Sequence, residues 1–345
     1  MAIIGEAELK EQIKTNSISS VYMIYGEESY LKEYYVKKLK SAVVEPTFAD
    51  FNLHEYEGRD TSINEILQDA EMLPMMAERS FLLVHDYPLD KSAGDMNELK
   101  EFFKDVPDTC VLVFWFDSIE VDQKKNSKWK TIIKHFEKAG NAVCIDKKTE
   151  GELVKLLVSY AKRHKCALDA RGARYLVSVV GNDMKILFNE LDKMCSYSQD
   201  GIISKEIIDR LATKSLQAKV FDLSKNILNG NSDGAYTILN NLLAQKESEI
   251  AIMSVISSCY IDMYRVKCAK AAGESEMNVG EYFSYRGREF LLRNAARDSR
   301  NVSFEGLRQA IDVLSWADEL LKSATIEKRV VLEETIAKLL MLRNK

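Results

Sequence analysis

The sequence predicts an α/β domain built on a parallel sheet, followed by two regions that are helical throughout. Three observations carry this reading. Apolar runs of strand length alternate with helical patterns through residues 1–146, and most of them are continuous, as strands covered on both faces are. The strand signal stops after residue 147, where apolar residues recur at helical spacing instead. The 345 residues include only 4 Pro and 15 Gly, with no Ser/Pro/Gly-rich stretch, which favours long helices over disordered linkers.

The elements follow in order. Residues 21–25 (VYMIY) form a short apolar strand that ends at Gly26, and a helix is predicted over 29–40. Residues 50–56 alternate apolar and polar side chains and read as a second strand. Ile63, Ile66, Leu67 and Ala70 recur at helical spacing, so a helix is expected over 63–73 with that face in the core. Pro74 breaks or ends it, because proline disfavours helical geometry in the residue before it. Strands are predicted at 80–85, 109–116 and 142–145, with a helix at 127–138 between the last two. Strands alternating with helices imply a parallel sheet.

Thr149 is a plausible N-cap for a helix carrying Leu153, Leu156, Leu157 and Tyr160 on one face. Helices at 169–180 (ended by Gly181) and 183–197 come next, then a short one opened by Ser204 with Ile207, Ile208 and Leu211. Further helices are expected at 220–228, 235–243, 250–272, 288–298, 303–322 and 327–342. The expected domains are 1–146 (α/β), 147–213 (small, helical) and 214–345 (larger, helical).

Composition narrows the function. Hydrophobic residues make up 46% and charged residues 29%, ordinary for a soluble globular protein. The amino terminus lacks the basic region and apolar run of a signal peptide, and no apolar stretch approaches the roughly 20 residues of a membrane span. A cytoplasmic protein is expected. The six cysteines are scattered without a C-x-x-C pair and read as small buried hydrophobes. The four histidines are isolated, so no zinc site is expected. A net charge of −5 argues against holding duplex DNA alone, and any nucleic-acid role is expected to be shared with other chains.

The turn after the first strand is where a phosphate loop would lie. A working loop, G-x-x-x-x-G-K-[ST], wraps phosphates with backbone N–H groups and a lysine, and its hydroxyl ligates magnesium. Here Gly26 and Lys32 stand at matching spacing, but Leu31 replaces the second glycine and Glu33 replaces the hydroxyl residue. Glu27 and Glu28 add negative charge where an anion would sit. The loop is therefore read as degenerate and inactive, with Lys32 as a solvated helix lysine. His85-Asp86 stands where an acidic magnesium-binding pair would follow the third strand, and Asp117 is a lone acid after the fourth. Both acids are expected to serve loops or caps. Neither catalysis by this chain alone nor a cofactor is expected.

At Leu73-Pro74-Met75-Met76 two adaptable, polarizable methionines occupy a helix-to-strand corner. They either pack under the sheet or anchor in a partner's apolar pocket, and the residues alone do not choose.

Taken together, the segments 21–31, 72–84, 180–191, 220–223 and 317–323 resemble, in order, the delta subunit of the bacterial DNA polymerase III clamp loader. The resemblance implies an AAA+-like domain without a functional nucleotide site, a helical lid and a helical collar. It implies a DNA-replication protein that binds the ring-shaped sliding clamp and holds one interface open for loading onto primed DNA, while sister subunits hydrolyse ATP. The implied partners are the beta clamp, and the tau/gamma and delta prime subunits through the collar. Complex membership would place the chain in a DNA-directed DNA polymerase, a nucleotidyltransferase. Matched residue by residue, Leu73, Met75 and Met76 become the clamp-binding cluster. The departure is two methionines where many relatives carry an aromatic or leucine. Ser299-Arg300-Asn301 lies at the wrong place to be the arginine-finger motif of other loader subunits.

Two other functions compete. A divergent ATPase or nucleotide kinase would use Lys32, Asp86 and Asp117. A free-standing DNA-binding adaptor would use Arg286, Arg288, Arg293, Arg297 and Arg300. Spacing puts Arg286, Arg293, Arg297 and Arg300 near one helix face, where Arg293, Arg297 and Arg300 are candidate DNA contacts.

Overall fold

The computed structural model describes residues 4–323 and 326–342. The chain divides into two units, 1–147 and 148–345.

The first unit is built on a five-stranded sheet: β1 (Val21–Tyr25), β2 (Leu53–Glu57), β3 (Ser80–His85), β4 (Cys110–Trp115) and β5 (Asn141–Cys144). Their order is β2-β3-β4-β1-β5, and every pairing is parallel. All five residues of β1 are buried, as are the first five of β3 and of β4, which explains their unbroken apolar character. β2 is an edge strand, half-exposed along its length, and so it alone alternates.

The two sheet faces are covered separately. Val21, Met23, Leu82, Val84, Leu112 and Phe114 join a core with helices Ile63–Ala70, Ala93–Phe102 and Ser127–Ala139. Period-two alternation sends Tyr22, Ile24, Phe81 and Val113 to the opposite face, all of them buried. Helix Ser29–Val43 packs against β3 and β4, and helix Glu6–Lys14 lies against it and β5.

Two predicted elements differ here. Helix Ile63–Ala70 stops three residues short of the expected 73. The Glu71 and Met72 N–H groups bond back to the carbonyls of Gln68 and Asp69, tightening the last turn, and Leu73 precedes a proline. Of the strand expected at 50–56, only the part from Leu53 on is extended. Ala49–Asn52 forms one helical turn instead.

The second unit is helical. Thr149 caps Glu150–Arg163 in a reciprocal box with Glu152, and Asp169, Asp183 and Ser204 cap Ala170–Val180, Met184–Tyr197 and Lys205–Leu211. Leu216–Asn229, Ser232–Ala244, Glu249–Ala271, Phe290–Asp298, Phe304–Lys322 and Lys328–Leu342 follow, with the single turn Val279–Tyr282 between the third and fourth. Glu249–Ala271 runs through the centre of this group, against Leu216–Asn229, Phe290–Asp298, Phe304–Lys322 and Lys328–Leu342. Among the described residues no helix is long and apolar enough to cross a membrane.

Candidate functional site

A parallel sheet brings the residues that follow its strands to one edge, which is where the candidate nucleotide residues meet. Gly26 follows β1 with φ +121°, and a Cβ there would lie 2.4 Å from the Ile145 carbonyl oxygen just beyond β5. Glycine is needed because the turn is pressed against its neighbour strand. The Glu28 N–H donates to that same Ile145 carbonyl at 3.0 Å, and the buried Glu28 carboxylate lies 3.5 Å from Lys147 Nζ. One of the N–H groups that would wrap phosphates is thus committed to the chain beyond β5.

Lys32 is not solvated, contrary to the reading of the sequence. It is 2% exposed. Its Nζ donates to the Phe116 carbonyl at 2.6 Å and sits 3.2 Å from Asp117 Oδ1. Leu31 is buried beside it, so the helix turns both residues onto the end of the sheet. Glu33 faces outward, its carboxylate paired with Lys37 one turn on. The lysine spacing of a phosphate loop survives, but the ammonium staples β4 to the helix.

The two acids are equally committed. Asp86 is buried at φ +49° and accepts from the N–H groups of Asp117 (2.8 Å), Ser118 (2.9 Å) and Ile119 (3.3 Å), and from the Ser118 hydroxyl. Burial pushes its carboxyl up, but the hydrogen bonds from Ser118, Asp117 and Ile119 outweigh it and hold the group below its usual range. Asp117 is likewise held low: burial opposes ionisation, while Ser29 and Lys32 favour it more strongly. Lys32, Asp86 and Asp117 do converge, yet they bond to one another and to the backbone, while the Gly26 turn is pressed against Ile145. The residues present do not fit Mg-ATP.

The opposite edge of the sheet differs in character. Between helix Ile63–Ala70 and β3 the chain exposes Met72, Leu73, Met75 and Met76, with Leu73 at 83%, Met75 at 54% and Met76 at 79%. Burial beneath the sheet, the other option left open by the sequence, is not what these side chains do. Neighbouring exposed apolar residues of this size make the corner a candidate interaction surface.

The corner is held from several sides. Arg79 donates to the carbonyls of Asp108 (2.9 Å) and Ile18 (2.8 Å) and to Ser20 Oγ (2.8 Å), fixing the end next to β3. The Tyr56 hydroxyl bonds Asp69 near the other end. Asn52 bonds both backbone groups of Met75. Met76 adopts φ +54°, a left-handed conformation that costs a residue with a Cβ about 1–2 kcal/mol. Asn52, Arg79 and the exposed Met72 are functional candidates that the sequence reading missed. Asn52 falls in phase with the polar positions of the alternating stretch 50–56, so the sequence carried no signal for it.

The arginines of the second unit do not form one helical face. The helix begins at Phe290, so Arg286 and Arg288 precede it and Arg300 lies in the single 3-10 turn after it. Arg293 bonds the buried Glu150 carboxylate at 2.6 Å, and Arg297 bonds Asp298 at 2.7 Å. Much of the positive charge expected there is already compensated.

Residues 22–148 match the family model described as DNA polymerase III, delta subunit, and residues 217–339 match the one for that subunit's C-terminal domain. The chain is 25% identical to DNA polymerase III subunit delta of Bacillus subtilis, over 97% of each. It is 20% identical to the probable delta subunit of Aquifex aeolicus, over 86% of this chain and 85% of that protein. The solved structure of the Bacillus subtilis DNA clamp loader delta protein superposes with a TM-score of 0.63 at 23% identity, covering 97% of this chain and 99% of that one. That likeness is one of fold, a parallel sheet followed by helices.

Proposed function

The chain belongs to the DNA polymerase III delta-subunit family, and from that premise we propose that it grips the sliding clamp and holds its ring open during replication without hydrolysing ATP. The observation that carries this reading is the exposed cluster Leu73, Met75 and Met76 on a corner fixed by Asn52 and Arg79. A rigid corner presenting large apolar side chains can enter a partner's pocket with little ordering. The self-occupied edge at Gly26, Lys32, Asp86 and Asp117 supports the second half, since neighbouring subunits must then supply the ATP chemistry. In this reading 1–146 carries the clamp contact, 147–213 is the lid and 214–345 is the collar that joins the tau/gamma and delta prime subunits. Primed DNA is met within the assembly, in the cytoplasm, where Arg300 is a better candidate contact than the paired Arg293 and Arg297.

The test is gel filtration of the full chain with the sliding clamp, comparing wild type with Met75→Ser combined with Met76→Ser. Both residues are exposed, so the substitutions leave folding within about 0.5 kcal/mol. Covering the exposed fractions of two methionines contributes about 2–4 kcal/mol, and its loss weakens binding about 30- to 1000-fold. Wild type co-elutes and the variant does not. Co-elution of both at equal strength would remove this cluster as the contact.

A further inference from the structure

Asn52 is fully buried, in a single helical turn that precedes the edge strand β2, and it reaches across to the apolar corner. Its Nδ2 donates to the Met75 carbonyl at 2.8 Å and to the Phe48 carbonyl at 3.1 Å, and its Oδ1 accepts from the Met75 N–H at 2.7 Å. This pattern admits one orientation of the amide. Turned over, it would set its NH2 against an N–H and its oxygen against two carbonyls. No other side-chain type offers a donor pair and an acceptor at this reach. Met75 is thus gripped at both backbone groups, immediately before the left-handed Met76.

From this geometry we propose that Asn52 is the positioning residue of the clamp-binding corner. It holds residues 75 and 76 in the conformation that presents their side chains, and so removes an ordering cost from binding. The proposal rests on the reading that Leu73, Met75 and Met76 engage the clamp. Asn52 itself is buried and acts through Met75. The left-handed backbone at Met76 gives the hold something to oppose, because an unheld chain relaxes to commoner conformations.

Two substitutions separate positioning from bulk stability. Asn52→Ala removes the whole grip. Asn52→Asp keeps the shape and the acceptor but turns a carboxylate oxygen toward the carbonyls of Phe48 and Met75. The full-length variants are titrated against the sliding clamp beside the Met75→Ser, Met76→Ser protein, and backbone hydrogen exchange is followed in each. Both Asn52 variants are expected to bind about tenfold more weakly. Exchange is expected to quicken across residues 72–79 while the amides of β1, β3 and β4 stay protected. Should Asn52→Ala fail to fold, Asn52→Asp carries the same comparison.

Wild-type affinity in a folded Asn52 variant, with binding lost in the methionine variant, overturns the role of Asn52 and leaves the clamp contact standing. Exchange that rises throughout the sheet at unchanged affinity overturns it too, showing a merely structural amide. Wild-type affinity in the methionine variant overturns the contact itself, and the positioning role with it.

Discussion

Replacing Lys32 with methionine tests the conversion of a phosphate-loop lysine into a structural staple. Lys32→Met keeps the apolar stem and removes the ammonium. The Phe116 carbonyl then loses its donor at 2.6 Å, and Asp117 loses its partner at 3.2 Å. Breaking a buried pair from one side costs about 3–5 kcal/mol when the remaining charge is stranded. Asp117 is not stranded, because its side chain is 39% exposed and can rehydrate. The remaining cost is that of an unsatisfied buried carbonyl, about 1–3 kcal/mol, and we expect about 2. For a unit of this size that lowers Tm by about 4–8 °C, read from thermal unfolding by circular dichroism. Equilibrium dialysis against Mg-ATP should show no saturable binding before or after the substitution. An unchanged Tm, or wild-type nucleotide binding that the substitution abolishes, would refute the staple and restore a phosphate lysine.

Other outcomes follow from the same edge. Asp86→Asn removes charge-assisted bonds to the backbone after β4, and chemical denaturation should show a loss of about 1.5–3 kcal/mol. Because the folded Asp86 carboxyl is held below its usual value, its contribution is complete above about pH 4 and fades as pH falls through the folded value. The wild-type acid limb should therefore be steeper than that of Asp86→Asn, and identical limbs would count against the role. Restoring the loop consensus with Leu31→Gly and Glu33→Thr should not create an ATP site, because Lys32 still points into the sheet end and Ile145 still fills the Gly26 turn. Saturable Mg-ATP binding by that variant would show that sequence, rather than packing, closed the pocket.

The sheet and its helices were legible because their patterns are local. Buried strands read as unbroken apolar runs, and the expected helix openers Thr149 and Ser204 accept N–H groups three residues on. The departures from a phosphate loop at Leu31 and Glu33 are read directly from the sequence, but the fate of Lys32 was not legible there. Its partners are the carbonyl of Phe116 and the carboxylate of Asp117, far along the chain, and helical spacing cannot reveal that a lysine points inward. The turn at Ala49–Asn52 was hidden for a related reason: its asparagine is held by Met75, and a seven-residue alternation resembles a strand until that contact is known. The exposure of Met75 and Met76 was undecided for want of tertiary context. The arginine face failed because spacing was counted past the ends of the helix: Arg286 lies before its start at Phe290 and Arg300 in the 3-10 turn after Asp298.

The central claim, that this subunit supplies grip and its neighbours supply energy, is tested most directly by titrating the isolated full chain against the sliding clamp with and without Mg-ATP. The account predicts one dissociation constant under both conditions. An affinity that changes several-fold on adding nucleotide to these two proteins alone would contradict it, since ATP would then be acting through this chain.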